Sequence, residues 1–246
     1  MNANDDLSSQ ITLRIPGAWS DPSELLQRLP AGYRLTPETL ILPDETQIDF
    51  FPMPADDQFV SIFQSSCRQA PTSAEQATIS QYSVNIGLRG PGGSLKSALV
   101  MMQAAAAIVR AGGAGVFVDN CALAHGGEDW IEMTEDGGPD AISFAFVSII
   151  RGRGTTYTMG MQTMGFADLL MGAADIDEQG QAIIEIMRYI CGGSKPMEVG
   201  HLIADEDGPR FQVVAITSDD FEPQSPMHNP HGRLKMVSVK DLADSN

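Results

Sequence analysis

The sequence predicts an α+β fold of mixed β-sheets covered by helices, arranged as two sub-domains of similar size. Three observations carry that prediction. With 43% hydrophobic and 19% charged residues over 246 positions, the chain has the apolar content to bury a sizeable core. Its apolar residues change period along the chain, alternating in some segments and recurring at helical spacing in others. Around residues 82–119 a strand, a long helix and a second strand follow one another, which defines a β-α-β unit.

The elements can be justified in order. Residues 1–10, "MNANDDLSSQ", are acidic and polar, and read as a disordered tail. In "ITLRI" (11–15), Ile11, Leu13 and Ile15 alternate as a half-buried strand that stops at Pro16-Gly17. Ser20 or Asp21 then caps a short helix with Pro22 in its first turn, and Pro30 breaks it. Residues 35–42 and 46–51 form strands on either side of "PDE", a hairpin. Over 56–68, Phe59, Ile62 and Phe63 stand at helical spacing and place Cys67 on the same core-facing side.

In the β-α-β unit, "YSVNIGL" (82–88) is a strand, "RGPGG" a turn, 94–111 a long helix stopped by Gly112-Gly113, and "AGVFVD" (114–119) the second strand. The two strands are expected as parallel neighbours in one sheet. "TEDGGPD" (134–140) combines charge, paired Gly and Pro without an apolar period. It sets a boundary between an N-terminal α/β domain, 11–135, and a C-terminal α+β domain, 139–246. Beyond it, 141–150 and 155–161 read as strands and 166–172 as a short helix. Residues 177–193 read as a capped helix ending at Gly192, with Cys191 in its last turn. Residues 198–204 and 210–216 form a hairpin around "DEDGP", and 233–239 a late strand. No internal repeat recurs at a fixed period.

Charge narrows the partners. A formal net charge of −17 repels phosphate backbones and anionic lipid, so nucleic acid is excluded as an expected partner. A basic protein, a cation or a neutral small molecule meets no such repulsion, and a negative surface also serves solubility. Cys67, Cys121 and Cys191 are widely spaced and form no CxxC pair, which points to reduced thiols in a cytoplasmic setting. The first residues lack the basic-then-apolar pattern of a signal peptide, so no targeting segment is expected. The most apolar stretch, 97–109, is bounded by Lys96 and Arg110 and is too short to span a bilayer, so no membrane association is expected.

The stretch "VFVDNCALAHGGEDW" (116–130) brings Asp119, Cys121, His125 and Glu128 close together beyond the second strand of the β-α-β unit. The crevice past the carboxyl ends of parallel strands is where α/β folds place ligands. A small hydrolase or transferase would use Asp119, Cys121 and His125 there, provided a base lies within reach of the thiol. The same residue types make a turn, which is the favoured expectation. His125 and Glu128 are separated by paired glycines, and His228 and His231 lack a third ligand, so no metal or other cofactor is expected.

"GLRGPGGSLKSA" (87–98) resembles a phosphate loop but carries Leu95 where a nucleotide loop needs Gly. It reads as a helix start capped by Ser94, with Arg89 and Lys96 as candidates to hold a small anion near the helix amides. Arg151 and Arg153 stand in a window, 141–167, without acidic residues. Their planar forks either bind an anion or, as the favoured expectation, pair with the chain's own acidic stretch from 119 to 140. On the strand that follows, Tyr157, Met159 and Met161 share one face, which fits core packing or a pliable interface.

"TYTMGMQTMGFADLLM" (156–171), followed by "EIMRYICGG" (185–193), resembles bacterial proteins of domain-of-unknown-function family 4261. The resemblance covers the C-terminal part of the chain and falls on Gly160, Gly165, Phe166 and Asp168. It implies α+β architecture with a mixed sheet in a bacterial cytoplasmic protein, and it implies no activity. Taken together, these readings favour a non-enzymatic acidic interaction module that docks a basic protein partner. Residues 119–140 hold seven carboxylates and neither Lys nor Arg. Glu128, Asp129, Trp130, Glu132 and Glu135 are the partner-binding candidates, with Trp130 included because Trp is favoured at binding hot spots. The alternative is the hydrolase or transferase built on Asp119, Cys121 and His125.

Overall fold

A computed structural model describes residues 9–175, 181–193, 197–205, 208–216 and 221–239. They form an α+β fold with two sheets. The first contains β1 (Gln10–Gly17), β2 (Arg34–Leu35), β3 (Thr39–Ile41), β4 (Gln47–Pro54), β5 (Val84–Pro91), β6 (Gly115–Val118) and β7 (Leu123–Gly126), in the order β2-β3-β4-β5-β1-β6-β7. The tail expected over 1–10 lies outside the described residues except for its last two, and Gln10 already belongs to β1.

The β-α-β unit is present but split. Its helix, α4 (Leu95–Arg110), joins β5 to β6, yet β1 lies between them and runs antiparallel to both. β5 and β6 are therefore parallel but not neighbours, which corrects the sequence expectation. β1 matches β5 over its whole length, from Gln10 opposite Pro91 to Gly17 opposite Val84, and so fills the slot beside it. A helix of sixteen residues is about 24 Å long and can carry the chain across the intervening strand.

Register sorts the sheet into two faces. Ile11, Leu13, Ile15, Ile86, Leu88, Val116 and Val118 are buried on the face that α4 covers, where Ala98 and Ala104–Ala107 let the helix approach closely. Thr12, Arg14, Arg89 and Phe117 point the other way. On that second face, α2 (Phe59–Ser66) and α3 (Ser73–Ser80) pack Phe59, Phe63 and Ile79 over Phe117 and Ala124. The β1–β5 part of it is left for the site described below.

The second sheet contains β8 (Ser148–Arg151), β9 (Thr155–Met159), β10 (Asp168–Gly172), β11 (Leu202–Asp205), β12 (Gly208–Ile216) and β13 (Arg233–Ser238), in the order β11-β12-β13-β10-β9-β8. Only β10 and β13 are parallel, so this sheet is mixed. Helix α7 (Gln181–Gly192) buries Ile183, Ile186, Met187 and Ile190, while the cap expected at 177–180 lies outside the described residues. Between the sheets stand α5 (Gly127–Asp136) and α6 (Pro139–Phe146). The expected boundary at 134–140 is the turn between them: Gly137, at φ 61, ends α5, and Pro139 opens α6. One buried cluster draws on both sheets and both helices, including Val118, Trp130, Phe146, Met161 and Leu169.

Two element types differ from expectation. Residues 141–150 were expected as one strand, but α6 runs to Phe146 and only then does β8 begin. Pro139 pre-sets the first helical turn, and Ile142, Ala145 and Phe146 are buried at helical spacing. Residues 166–172 were expected as a helix but contain β10, held by β9 on one side and β13 on the other. Tertiary pairing overrides helix propensity there. The sequence reading also missed α3, whose capping box joins Thr72 and Glu75, together with β7 and α5. Among the described residues no helix is long and apolar enough to cross a membrane.

Candidate functional site

β6 ends at Val118, and the next two residues turn across the open edge of β1. The backbone N–H of Asp119 donates to the Thr12 carbonyl at 3.0 Å, and its carboxylate accepts from Arg14 Nε at 2.9 and 3.0 Å. Burial pushes the Asp119 carboxyl up from its ordinary value, opposed by Arg14 and by the field of Arg89. Asn120, only 1% exposed, accepts from Thr12 N at 3.0 Å and donates to the carbonyls of Gln10 and Pro226 at 2.9 Å each. An amide has both a donor and an acceptor, so this one side chain ties the start of β1 to the C-terminal loop.

A polar cavity of about 600 Å³ opens beside this tie. Thr12, Arg14, Arg89, Asp119, Asn120 and Gln162 line it, and the loop from Pro223 to Pro230, including His228, closes its far side. It lies at the carboxyl ends of β5 and β6, the two strands that run parallel with β1 between them. Arg89 also stacks over the ring of Phe51 at 5.5 Å. Gln162, on the 3-10 turn Met161–Met164, donates through Nε2 to the Pro226 carbonyl at 3.3 Å.

Of the residues predicted from sequence, Asp119 and Arg89 reach this cavity and most others do not. Cys121 is 1% exposed and its thiol is pushed up to about 12 by burial, so it stays protonated at neutral pH. His125 is 2% exposed, faces Ala145 O at 3.1 Å through Nε2, and is pushed down to about 4 by burial. Its ring packs against Trp130 and Phe144, and neither it nor Cys121 lines the polar cavity. The three candidates for nucleophilic chemistry are thus not brought together.

Lys96 is exposed on the first turn of α4, where its charge favours the Asp44 carboxylate, and does not line the cavity. The amides of that helix start are engaged: Ser97 N donates to Ser94 Oγ, and Gly93 N to the Thr163 carbonyl. Arg151 and Arg153 are both exposed, and among the described residues neither has an ion pair. This corrects the expectation that they pair with the acidic stretch. The extended β8 strand and the turn after it point them away, and the acidic stretch finds other cations: Arg14 for Asp119, Arg110 for Glu135 and Arg188 for Asp140.

Trp130 is also placed differently from its expected role at a docking surface. It is fully buried, donates Nε1–H to the Met102 carbonyl at 3.1 Å and meets Phe146 edge-on. Helix α5 turns this side inward and leaves Glu128, Glu132 and Glu135 exposed, with Asp129 half-buried near Glu75. Among the described residues no group of three His, Cys, Asp or Glu side chains gathers in a way that could hold a metal ion.

Within the segment singled out by family resemblance, Asp168 is buried. Asp168 accepts from Thr158 Oγ1, Met161 N and Asn229 Nδ2 at 3.1, 3.3 and 2.8 Å, and burial raises its carboxyl to about 6. At φ 114, Gly160 leaves no room for a Cβ against the Phe146 carbonyl. No family model matches the chain, and no curated protein or solved structure matches it either. Arg14, Asn120 and Gln162 are cavity residues the sequence reading missed. Each carried a faint signal: Arg14 is the one charge in an otherwise alternating strand, Asn120 follows that strand's partner, and Gln162 is the lone amide in a Met-rich run.

Proposed function

We propose that the chain is a non-enzymatic acidic interaction module of a bacterial cytoplasm, which docks a basic protein through the outer face of α5. The observation that carries this reading is the exposure of Glu128, Glu132 and Glu135 along one helix, in a chain of net charge −17. Arg110 compensates only Glu135 on that face. Complementary charge of this kind raises association rates and is screened by salt. A catalytic reading built on Asp119, Cys121 and His125 lacks comparable support, because thiol and imidazole are each sealed in the core. Kinship with family 4261 belongs to the same proposal and rests on the sequence resemblance at Gly160, Gly165, Phe166 and Asp168.

Capture from cytoplasmic extract at low and high salt tests the proposal, with wild type compared against Glu128→Gln, Asp129→Asn, Glu132→Gln and Glu135→Gln combined. A basic protein should be retained by wild type at low salt and lost at high salt or with the variant. Equal retention in every arm, or no basic protein in any, overturns the reading.

A further inference from the structure

The polar cavity beside β1 and β5 has no part in docking through α5, and it carries its own sign of incompleteness. Among the described residues three buried side-chain polar atoms lack a hydrogen-bond partner: Gln162 Oε1, Ser9 Oγ and Asn85 Oδ1. The first two belong to residues that line this cavity. A buried acceptor without a donor is costly, and natural proteins keep few of them.

The orientation of Gln162 is fixed by its surroundings. Its Nε2 faces the carbonyls of Pro226 and Asn120 at 3.3 and 3.5 Å, so a flipped amide would set oxygen against oxygen. Oε1 therefore has to be the free end. Gln162 lines the cavity with only 1% of the residue exposed, and its buried, unpartnered carbonyl oxygen calls for an N–H or O–H donor.

The walls carry both signs of charge. Thr12 and Arg89 are register partners, so Arg14 and Arg89 rise from the same face of adjacent strands. Arg14 engages Asp119 through Nε, Arg89 rests on Phe51, and both present planar guanidinium forks suited to a carboxylate. Asp119 supplies one negative charge beside them. Among the residues that line the cavity two cations meet one anion, and Asp49 stands opposite Arg89 on β4. A bare oxyanion would satisfy the guanidinium groups but would leave Gln162 Oε1 without a donor and would meet the charge of Asp119. A ligand with an anionic end and an N–H-bearing end satisfies all of them.

We propose that this cavity binds a small α-amino-carboxylate, with its carboxylate on Arg14 and Arg89 and its ammonium on Gln162 Oε1 and the Asp119 side. Asn120 acts as a positioning residue, holding β1, the β6–β7 turn and the Pro226 loop at fixed spacing around the ligand. The inference stands apart from the docking reading: neutralising the α5 face leaves it intact, and neutralising the cavity leaves the α5 face intact.

Titration calorimetry and thermal melting with the common L-amino acids at up to about 10 mM test it, alongside glutarate and propionate, which lack the ammonium, and inorganic phosphate. At least one amino acid should give saturable heat and a saturable rise in melting temperature, with its des-amino counterpart roughly tenfold weaker or more. Arg89→Gln should weaken binding by roughly tenfold or more while shifting the melting temperature of the free protein little, since Arg89 is exposed. Gln162→Leu, which removes the acceptor, should weaken binding by roughly tenfold or more. The proposal is overturned if no amino acid binds, if Arg89→Gln binds as wild type does, or if phosphate or the des-amino acids bind as tightly as the amino acid.

Discussion

Asp119 and Asn120 border a polar cavity, whereas Cys121 and His125, next along the same chain, are sealed in the core. The difference arises at one turn. After β6 the backbone crosses the edge of β1, passes through Ala122 at φ 50 and re-enters the sheet as β7. Asp119 and Asn120 meet β1 and the C-terminal loop, whereas Cys121 lies against Gly160 and His125 against α6. Asn120 keeps its polarity because three backbone groups satisfy it. The thiol and imidazole keep their neutral forms, because the hydrogen bonds around them offset only part of the loss of water. Four chemically capable side chains in sequence thus become two site residues and two packing residues.

The largest expected effect concerns the sealed side. Trp130→Ala removes a fully buried indole and should cost about 3–5 kcal/mol in urea unfolding, whereas Glu132→Gln on the opposite face of α5 should stay within about 0.5 kcal/mol. Comparable losses from both would break the division of that helix into a core side and a solvent side.

The pH dependence sharpens the contrast. Burial holds folded His125 at about 4, against 6.5 when free, so between those values the unfolded chain binds the extra proton and stability rises with pH. Asp168 behaves oppositely: at about 6 folded against 3.8 free, its proton is held by the folded chain, and stability falls as pH rises through that window. From about pH 4 to 6 the two slopes oppose each other in the wild type. Asp168→Asn should unmask His125 as a rise of roughly 3 kcal/mol between pH 4 and 6.5, absent from the double variant carrying His125→Gln as well. Equal slopes in the single and double variants would place His125 in contact with water.

On the cavity side, Asn120→Ala leaves the Thr12 amide and two carbonyls without their partner and should cost about 2 kcal/mol by denaturant unfolding. A neutral outcome would mean that water reaches those groups freely. The smallest effect is kinetic. Half-buried Cys67, pushed up to about 11, should be alkylated in the folded protein before Cys121 or Cys191, and all three should react after unfolding, as read by intact mass. Early labelling of Cys121 would reopen the thiol as a reactive group.

Local signals were legible in the sequence where the physics is local. Asp21 caps α1 (Pro22–Arg28) and accepts from Ser23 N, Pro22 opens that helix, and Ser94 caps α4 through Ser97 N, as their residue types require. The alternation of Ile11, Leu13 and Ile15 marked the buried face of β1, and the acidic balance was available from composition alone. The insertion of β1 between β5 and β6 was not legible, because backbone pairing between strands so far apart leaves no periodic trace in either one. Residues 166–172 have a helix-compatible pattern and become a strand only because β9 and β13 supply hydrogen bonds on both sides. The cavity is the extreme case. Asn120 bonds to residues about a hundred positions away in both directions, and Gln162 is left with a free oxygen only where the Pro226 loop closes over it. Short-range torsional preference and hydrophobic period are written in the order of the residues, whereas satisfaction of a buried polar atom depends on which distant atoms the fold delivers to it.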